Sequence, residues 1–579
     1  MATRGGSVHV VTTRRSYKGK VYETHLLRRS YREGGKVKNE TVGNISHLPP
    51  DVIELVRRTL QGERFAPIGQ AFEITASRAH GDSEAVLAAM KRLGFRGLLS
   101  ARPCPEADLV TAMVCARIIA PHTKLATTRW WKTRTLADDF GVATASEDDL
   151  YAAMDWLLER QGAIEKKLAS RHLSEGGLAL YDLTSSYFEG TQCPLARLGY
   201  NRDGKKNRLQ VNYGLLASRG GCPVAVSVYE GNTSDAKTVM PQVLKLKQDF
   251  GIDRIVLVGD RGMIGNKAVA ELRKTDGLGW ITALKSPQIR ALLEGGTLQL
   301  GLFDERNLFE LTHPGYPDER LVACRNPELA RLRAHKRQAL LEATNQELTK
   351  IRDRVQCGKL RGADKIGVRV GRVVNKYKVA KHFELTISDD SFGFSLRENE
   401  VAAEAALDGI YVIRTSLSKQ EMSAPEAVRS YKSLSDVERA FRSMKTIDLK
   451  VRPIHHRLAD RVRSHIFLCM LAYYVEWHMR EAWRPLLFAD EDTNAKATRD
   501  PVAPAKRSRA ALQKTEALTL DDGTPVHSFR TLLADLSTIV RNTCRAPGAR
   551  GEAAPSFEVT TTPSPAQQRA FALLHTIAV

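Results

Sequence analysis

The sequence predicts an α/β protein built on a mixed β-sheet with flanking helices. Two apolar runs, LALYD and RIVLVGD, each end in an aspartate. Between residues 177 and 289, three strand-like runs are followed by a helix, a strand, a helix and a further strand. This alternation is typical of a sheet covered by helices. We therefore assign residues 177–289 to the first part of an α/β core.

The first 60 residues are predicted to be a basic, β-rich region. VHVVTTR and KVYETHLL have strand character, and Gly34-Gly35 has the composition of a hairpin turn. Residues 1–48 hold ten lysines and arginines against three glutamates. A solvated basic face and a surface that contacts the DNA backbone both explain this charge.

Residues 75–176 have helical patterning, as in EAVLAAMKRLGF and EDDLYAAMDWLLERQ. Ser146, followed by two acidic residues, is a predicted helix N-terminus. On a basic protein such a region could be a helix-turn-helix DNA-binding domain. A purely structural bundle fits the same pattern, and no spacing decides between them.

The core is predicted to be interrupted and then completed. A long basic amphipathic helix and two stretches of period-two alternation predict an inserted β-rich subdomain at 290–405, consisting of a long helix plus strands. The strand GIYVIRT and two helices place the second part of the core at 406–483. The mixed composition of 484–579 predicts a C-terminal region that is partly disordered.

The charge of the chain favours a polyanionic partner. Its 579 residues include 87 lysines and arginines against 66 acidic residues, giving a net charge of +21. Lysine and arginine that neutralise phosphates release condensed counterions, so DNA is the expected partner, although a merely basic soluble protein would have the same charge.

No membrane partner and no metal-binding cysteine module is predicted. The most apolar run, Ile466 to Val475, is far shorter than the roughly 20 residues that span a bilayer. The N-terminus lacks the apolar core of a signal peptide, so we expect a cytoplasmic protein. The eight cysteines form no CxxC pair, which indicates neither a zinc module nor a disulfide framework.

Three acidic residues are candidate metal ligands. Asp182 and Asp260 each follow a strand-like apolar run, and open sheets bind ligands at the carboxyl ends of their strands. Carboxylate oxygens suit Mg²⁺, and two such ions can promote an in-line displacement at phosphorus. Glu438 is the third candidate, since it lies in a helix that follows a strand. Taken singly, each acid has an ordinary alternative as a turn, helix-cap or solvated residue.

Three segments of the chain resemble DDE transposases of bacterial insertion sequences, in the insertion-sequence-four superfamily. YDLTSSYFEG and LVGDRGM resemble the segments that carry the first two catalytic acids. YKSLSDVERAFRSMKT resembles the signature helix, in which Tyr431, Glu438 and Lys445 match the family's spacing. The resemblance extends over residues 181–472, with 290–405 similar only in character.

The signature helix departs from the family pattern at one position. Leu434 stands where the family has an arginine, so Arg439 or Arg442 is the candidate to replace it. In a continuous helix, residues seven apart drift only about 20° around the axis, so Tyr431, Glu438 and Lys445 would share one face. Tyr431 and Lys445 are then expected to bind DNA phosphates beside the metal ligand Glu438.

The resemblance implies both a fold and an activity. It implies an RNase H-like fold, with Asp182, Asp260 and Glu438 as catalytic metal ligands. It implies two Mg²⁺ ions, with Mn²⁺ as a substitute, and cleavage of double-stranded DNA at terminal inverted repeats. The 3′-OH ends would then be joined to target DNA, with a homodimer in the synaptic complex.

Two other functions fit the sequence. A catalytically inactive, transposase-derived DNA-binding protein would keep the basic surface without cutting DNA. An RNase H-like nuclease would cut DNA without joining it. The signature helix and the basic N-terminal region favour the transposase, because a transposase must also hold specific DNA ends.

Overall fold

The computed structural model describes residues 6–63, 65, 72–205, 207–492, 498–503, 506–546 and 555–578. The strands are β1 (Ser7–Tyr17), β2 (Lys20–Glu33), β3 (Lys36–Asn44), β4 (Glu73–Ala79), β5 (Gly177–Tyr187), β6 (Gln210–Ser218), β7 (Pro223–Glu230), β8 (Ile255–Gly259), β9 (Leu278–Ala283), β10 (Leu308–Leu311), β11 (Arg320–Arg325), β12 (Phe383–Ile387), β13 (Phe392–Leu396), β14 (Ile410–Thr415), β15 (Val540–Arg545) and β16 (Ser556–Thr560).

The α-helices are α1 (Pro50–Leu60), α2 (Gly81–Arg92), α3 (Phe95–Leu99), α4 (Pro105–Ile119), α5 (Lys124–Trp130), α6 (Leu136–Asp139), α7 (Glu147–Glu159), α8 (Gln161–His172), α9 (Val239–Leu244), α10 (Asn266–Leu272), α11 (Ser286–Glu294), α12 (Leu302–Glu305), α13 (Pro327–Gln356), α14 (Ala363–Tyr377), α15 (Glu398–Ala405), α16 (Ala424–Lys432), α17 (Leu434–Arg442), α18 (Ala459–Ala482), α19 (Arg509–Ala517), α20 (Phe529–Leu536) and α21 (Pro565–Leu574). They belong to two compact units, Met1–Arg78 with Arg541–Thr561, and Ala79–Val540 with Thr562–Val579.

The smaller unit is built on two three-stranded sheets, of which the first is antiparallel. In the first, β1, β2 and β3 pair in sequence order, and in the second, β15 lies between β16 and β4. Gly34 and Gly35 form the two-residue turn between β2 and β3, and both have positive φ. This conformation costs glycine little, which explains the hairpin turn predicted from the sequence.

The larger unit contains an eight-stranded mixed sheet in the order β10-β11-β14-β9-β8-β5-β6-β7. β5 is antiparallel to β6 and parallel to β8, and β8 is parallel to β9. The predicted succession of three strands, a helix, a strand, a helix and a strand is therefore correct. This arrangement fits the RNase H-like fold that the resemblance implies.

Both faces of the sheet are covered. On β5, Leu178 and Leu180 join one hydrophobic core, whereas Ala179 and Tyr181 join the other, as the period of two in a strand requires. The core of Ala179 and Tyr181 includes side chains of α9 and α10. The core of Leu178 and Leu180 includes α7, α17 and α18, so the helical region continues the packing of this face of the sheet.

Helix α7 begins after Ser146, as the sequence predicts. The Ser146 side chain accepts a hydrogen bond from the Asp149 backbone N–H, and Asp149 completes a capping box. α4 packs against α7 and α18 and is buried over most of its length, from Ala107 to Ile118. A helix enclosed in this way cannot enter a DNA groove, so the structural interpretation fits α4 better than a recognition helix.

The predicted insertion at 290–405 requires correction. Strands β10 and β11 lie within it, yet they extend the large sheet beside β14. The remaining part, from α13 to α15, has its own hydrophobic core and is mainly helical, with one hairpin of β12 and β13. The prediction of a β-rich subdomain was wrong because the period-two pattern covers only two five-residue strands.

The C-terminal region is more ordered than predicted. Phe529 and Leu533 of α20, and Ala570 and Leu574 of α21, are buried in the core that covers the sheet. Hydrophobic residues spaced at helical intervals supply these contacts. The predicted disorder also covers 493–497, 504–505 and 547–554, which lie outside the described residues.

In the described parts of the chain, no single helix is long and apolar enough to cross a membrane. α4 and the following segment Lys124–Thr133 meet the length and composition criteria only as a pair, and they are bent by 86°.

Candidate active site

Asp182 and Asp260 lie side by side because of the register of two parallel strands. The last register pair of β5 and β8 is Tyr181 with Gly259, and each aspartate is the next residue of its chain. Only Asp260 follows the end of its strand, since β5 continues to Tyr187. The expectation that both acids end a strand was therefore wrong for Asp182, although the two acids meet where β8 ends.

Glu438 reaches the same place from the helix that covers β5. Asp182 and Thr184 are two residues apart on β5, so their side chains share the face on which α17 packs. Asp182, Asp260 and Glu438 all line one cavity of about 770 Å³. The structure thus brings together the three acids selected from the sequence.

The signature segment is not one continuous helix. α16 ends at Lys432, α17 begins at Leu434, and a π-helical turn follows over Ser443–Ile447. The predicted single face at intervals of seven residues does not apply to this broken geometry. Tyr431, Glu438 and Lys445 nevertheless line the same cavity.

Two further aspartates in this cavity are already paired with cations. Asp203, whose side chain is 1% exposed, forms ion pairs with both Lys445 and Arg452. Asp235 pairs with Arg202 at 2.5 Å. Lys445 also donates a hydrogen bond to Thr184 Oγ1 at 3.1 Å. These contacts neutralise the two aspartates and fix their basic partners in the cavity wall.

The other three acids of the cavity have no such partner. In the described portion of the protein, Asp182, Asp260 and Glu438 form no ion pair with a lysine, arginine or histidine within 4.0 Å. Burial, with smaller contributions from the charges of Asp260 and Glu438, raises the pKa of Asp182 to about 7 despite the opposing backbone hydrogen bond from Leu183. Clustered carboxylates without a cation are destabilised unless a proton or a metal ion joins them.

Hydrogen bonds orient two of these carboxylates. The Tyr431 hydroxyl donates to Asp260 Oδ1 at 3.2 Å, and the Gly262 backbone N–H donates to Asp260 Oδ2 at 3.1 Å. The Leu183 backbone N–H donates to Asp182 Oδ1 at 2.8 Å. Each aspartate keeps free lone pairs, because a carboxylate offers about four acceptor sites.

The residues predicted to bind DNA occupy different environments. Tyr431 is half-buried against Asp260, and Lys445 is 8% exposed and held by Asp203. Arg442 is exposed and lines the cavity of the three acids. Arg439 is also exposed, but it pairs with Asp436 at 3.1 Å and does not line that cavity.

The pairing of Asp203 was not predicted from the sequence. Asp203 lies in the loop between β5 and β6, and its side-chain Oδ2 accepts a hydrogen bond from the Tyr187 backbone N–H at 3.0 Å. Arg452 lies in the segment RPIHH, and nothing in the sequence identifies Asp203 as its partner. A loop aspartate 242 residues before its lysine partner carries no local signal.

Comparison with known families identifies the family to which the chain with this three-acid cluster belongs. The chain matches the Transposase DDE domain over residues 179–475, more than half of its length, and the match includes every residue of the three-acid cluster. The chain belongs to this family. Residues 10–71 match the N-terminal domain of IS1634 family transposases. The protein is therefore a DDE transposase of the bacterial insertion-sequence type, a metal-dependent enzyme that cleaves DNA.

One solved transposase structure is similar to this chain at low sequence identity. A cryo-EM structure of the piggyBac transposase synaptic complex with hairpin DNA is 9% identical to this chain. The alignment covers 78% of this chain and 82% of that one, with a TM-score of 0.33. No curated protein matches the chain.

Proposed function

We propose that this transposase cleaves the terminal inverted repeats of its insertion sequence and joins the 3′-OH ends to target DNA. Asp182, Asp260 and Glu438 would hold two Mg²⁺ ions, with Mn²⁺ as a substitute. The observation that carries this proposal is that the five acidic residues of the cavity differ in whether a basic side chain neutralises them. Among the residues that the structure describes, Asp203 and Asp235 have cationic partners, whereas the three proposed ligands have none.

The donor set fits a hard divalent cation. Mg²⁺ prefers carboxylate oxygens and water, and it is commonly held by a few protein acids together with substrate phosphate. When bound, such ions would activate the attacking oxygen and stabilise the leaving oxygen at phosphorus. The raised pKa of Asp182 supports a cation at this position, since a positive charge would relieve the burial and repulsion that raise it.

The surrounding residues have separate tasks in this proposal. Tyr431 holds the Asp260 carboxylate in one orientation through its hydroxyl. Asp203 holds Lys445 and Arg452 at the wall of the cavity. Arg442, which is exposed and lines the cavity, is the candidate to contact a DNA phosphate directly. Lys445 would act mainly by adding positive potential beside the scissile strand.

The remaining partners are also proposals. The exposed cations on the β-hairpin of the smaller unit, which include Arg15, Lys18 and Lys20, would contact the DNA backbone outside the cleavage site. A homodimer would bring two element ends together in a synaptic complex. The cytoplasmic location stays a prediction.

A single assay separates the transposase from the two alternative functions. A plasmid carrying the DNA that flanks this reading frame would be incubated with the full chain and Mg²⁺, with EDTA as the control. Discrete cuts at inverted repeats, followed by joined products, support the proposal. Binding without cutting would identify the inactive DNA-binding protein, and scattered cuts without joining would identify a plain nuclease.

A further inference from the structure

A second cluster of potential metal ligands lies away from the three acids. His172 is the last residue of α8, Cys222 lies in the turn between β6 and β7, and His478 belongs to α18. Their ligand atoms all lie within 4.8 Å of one another. Cys222 lies near the start of β5. Its backbone carbonyl accepts a hydrogen bond from the Ser218 N–H, and Ser218 pairs with Ala179 near the start of that strand. The cluster is therefore at the amino end of β5, and the acids are where β8 ends.

The distances suit a borderline-soft cation. His478 Nε2 and Cys222 Sγ are 3.8 Å apart. A tetrahedral zinc ion with bonds of about 2.0–2.1 Å to nitrogen and about 2.3 Å to sulfur requires roughly 3.5 Å between these atoms. A movement of a few tenths of an ångström, within the reach of side-chain rotation, would therefore bring this pair to bonding geometry.

The protonation states also suit a metal ion. Burial, with a contribution from Arg171, lowers the pKa of His172 to about 4, and burial, with contributions from His172 and Arg171, lowers that of His478 to about 3. Both imidazoles are therefore neutral at pH 7 and keep a lone pair for a ligand. Burial, with the charge of Glu481 contributing, raises the pKa of the Cys222 thiol, so a cation would have to displace its proton.

Hydrogen bonding does not account for the cluster fully. His172 Nε2 lies 3.1 Å from the Tyr474 hydroxyl, and both histidine rings pack against Tyr474. Cys222 Sγ, however, makes only long contacts in the described chain, 3.8 Å to His478 and 4.0 Å to the Pro223 carbonyl. The thiol is buried beside two neutral imidazoles without a strong partner.

We propose that His172, Cys222 and His478 bind one Zn²⁺ ion. A water molecule from the adjoining cavity of about 890 Å³, which His172 lines, would be the fourth ligand. Binding converts the Cys222 thiol to a thiolate and releases one proton to solvent, so the charge of the site rises by one. This site is independent of the three acids and of the proposed DNA chemistry.

The ion would have a structural role. Its three ligands come from the helical region, from the sheet edge and from α18, which are far apart in sequence. A bond from each to one ion would hold the helical region against the catalytic sheet. Because such an ion binds the folded chain and not the unfolded one, it should raise the thermal stability of the protein.

The test uses the full chain after chelation and titration with Co²⁺. We expect one equivalent to give the near-ultraviolet charge-transfer absorption of a cobalt–thiolate bond, which carboxylate ligands at the three acids cannot produce. Losing even an outer partner of a metal ligand costs about 10–100-fold in affinity, so Cys222→Ser should weaken binding by at least that much. Cys324→Ser, at a buried cysteine on β11, is the matched control and should leave the absorption unchanged.

Two results would overturn the proposal. One is a wild-type cobalt titration without thiolate absorption, and the other is absorption that persists undiminished in Cys222→Ser. If Cys222→Ser does not fold, zinc X-ray absorption of the wild-type chain decides instead. One sulfur with nitrogen and oxygen neighbours supports the site, and a zinc shell without sulfur contradicts it.

Discussion

The hydroxyl of Tyr431 donates a hydrogen bond to Oδ1 of Asp260 at 3.2 Å. Tyr431 lies on α16 and Asp260 follows β8, so this contact ties the segment before Glu438 to the end of the strand. The Gly262 N–H holds the other oxygen of the same carboxylate. Asp260 is therefore fixed in orientation before any metal ion binds, which lowers the cost of forming a metal site.

Tyr431→Phe should weaken divalent metal binding without unfolding the protein. Removing the hydroxyl leaves the ring packed but frees Asp260 Oδ1, and loss of such an outer partner typically costs about 10–100-fold in metal affinity or activity. The dependence of the cleavage rate on Mn²⁺ concentration measures this change. Tyr473→Phe, on α18 and outside the cavity, should behave as wild type. Equal metal dependence in both variants would show that the hydrogen bond has no such role.

Asp203→Asn should destabilise the fold. The substitution leaves Lys445 and Arg452 without their shared anion in a largely buried place, and breaking a buried pair from one side typically costs about 3–5 kcal/mol. Urea unfolding measures the loss, with Glu230→Gln at an exposed strand end as the control. The double variant Asp203→Asn with Lys445→Met should recover part of the loss. Unchanged unfolding would mean that the pairs do not hold this wall of the cavity.

Asp182→Asn should stabilise the metal-free protein at pH 8. The pKa of Asp182 in the folded chain is about 7, above its usual value, so the folded state binds the proton more tightly than the unfolded state does. The ionised carboxylate therefore destabilises the fold, with a cost that is absent below pH of about 4 and grows until pH of about 7. Urea unfolding in EDTA at pH 4 and pH 8 measures this. If Asp182→Asn stabilised the protein equally at pH 4 and pH 8, the ionised Asp182 carboxylate could not be the cause of the difference in stability.

Substituting the hairpin cations should reduce the salt dependence of DNA binding. Alanine at Arg15, Lys18 and Lys20 removes exposed charges from the hairpin of β1 and β2, and each lost phosphate contact lowers the slope of log K against log salt by about 0.9. Binding of a labelled duplex at several salt concentrations gives the slope. Lys166→Ala, at an exposed position on α8, is the control. A slope equal to that of wild type would show that these cations are solvated and do not contact DNA phosphates.

The sequence predicted the features that depend on short-range pattern. Gly34-Gly35, the cap at Ser146 and the strand before Asp260 depend on neighbouring residues, and the structure contains all three. The break at Ser433 was not predicted, because the sequence from Tyr431 to Lys445 has continuous helical periodicity.

Features that depend on distant residues were missed. Asp203 meets Lys445 only after the sheet and α17 have assembled. Cys222 and His478 are 256 residues apart, so their proximity to each other and to His172 has no local signal in the sequence. The strands β10 and β11 are short, and their membership of the large sheet depends on pairing with β14.

The most direct test of the three-acid site compares metal binding and DNA cleavage in matched variants. Asp182→Asn, Asp260→Asn and Glu438→Gln would be measured beside Glu230→Gln, with Mn²⁺ binding followed by calorimetry and cleavage followed on a duplex carrying one element end. The account predicts that each of the three abolishes cleavage and weakens Mn²⁺ binding while DNA binding persists, and that Glu230→Gln matches wild type. Near-normal cleavage by any of the three would remove that residue from the metal site.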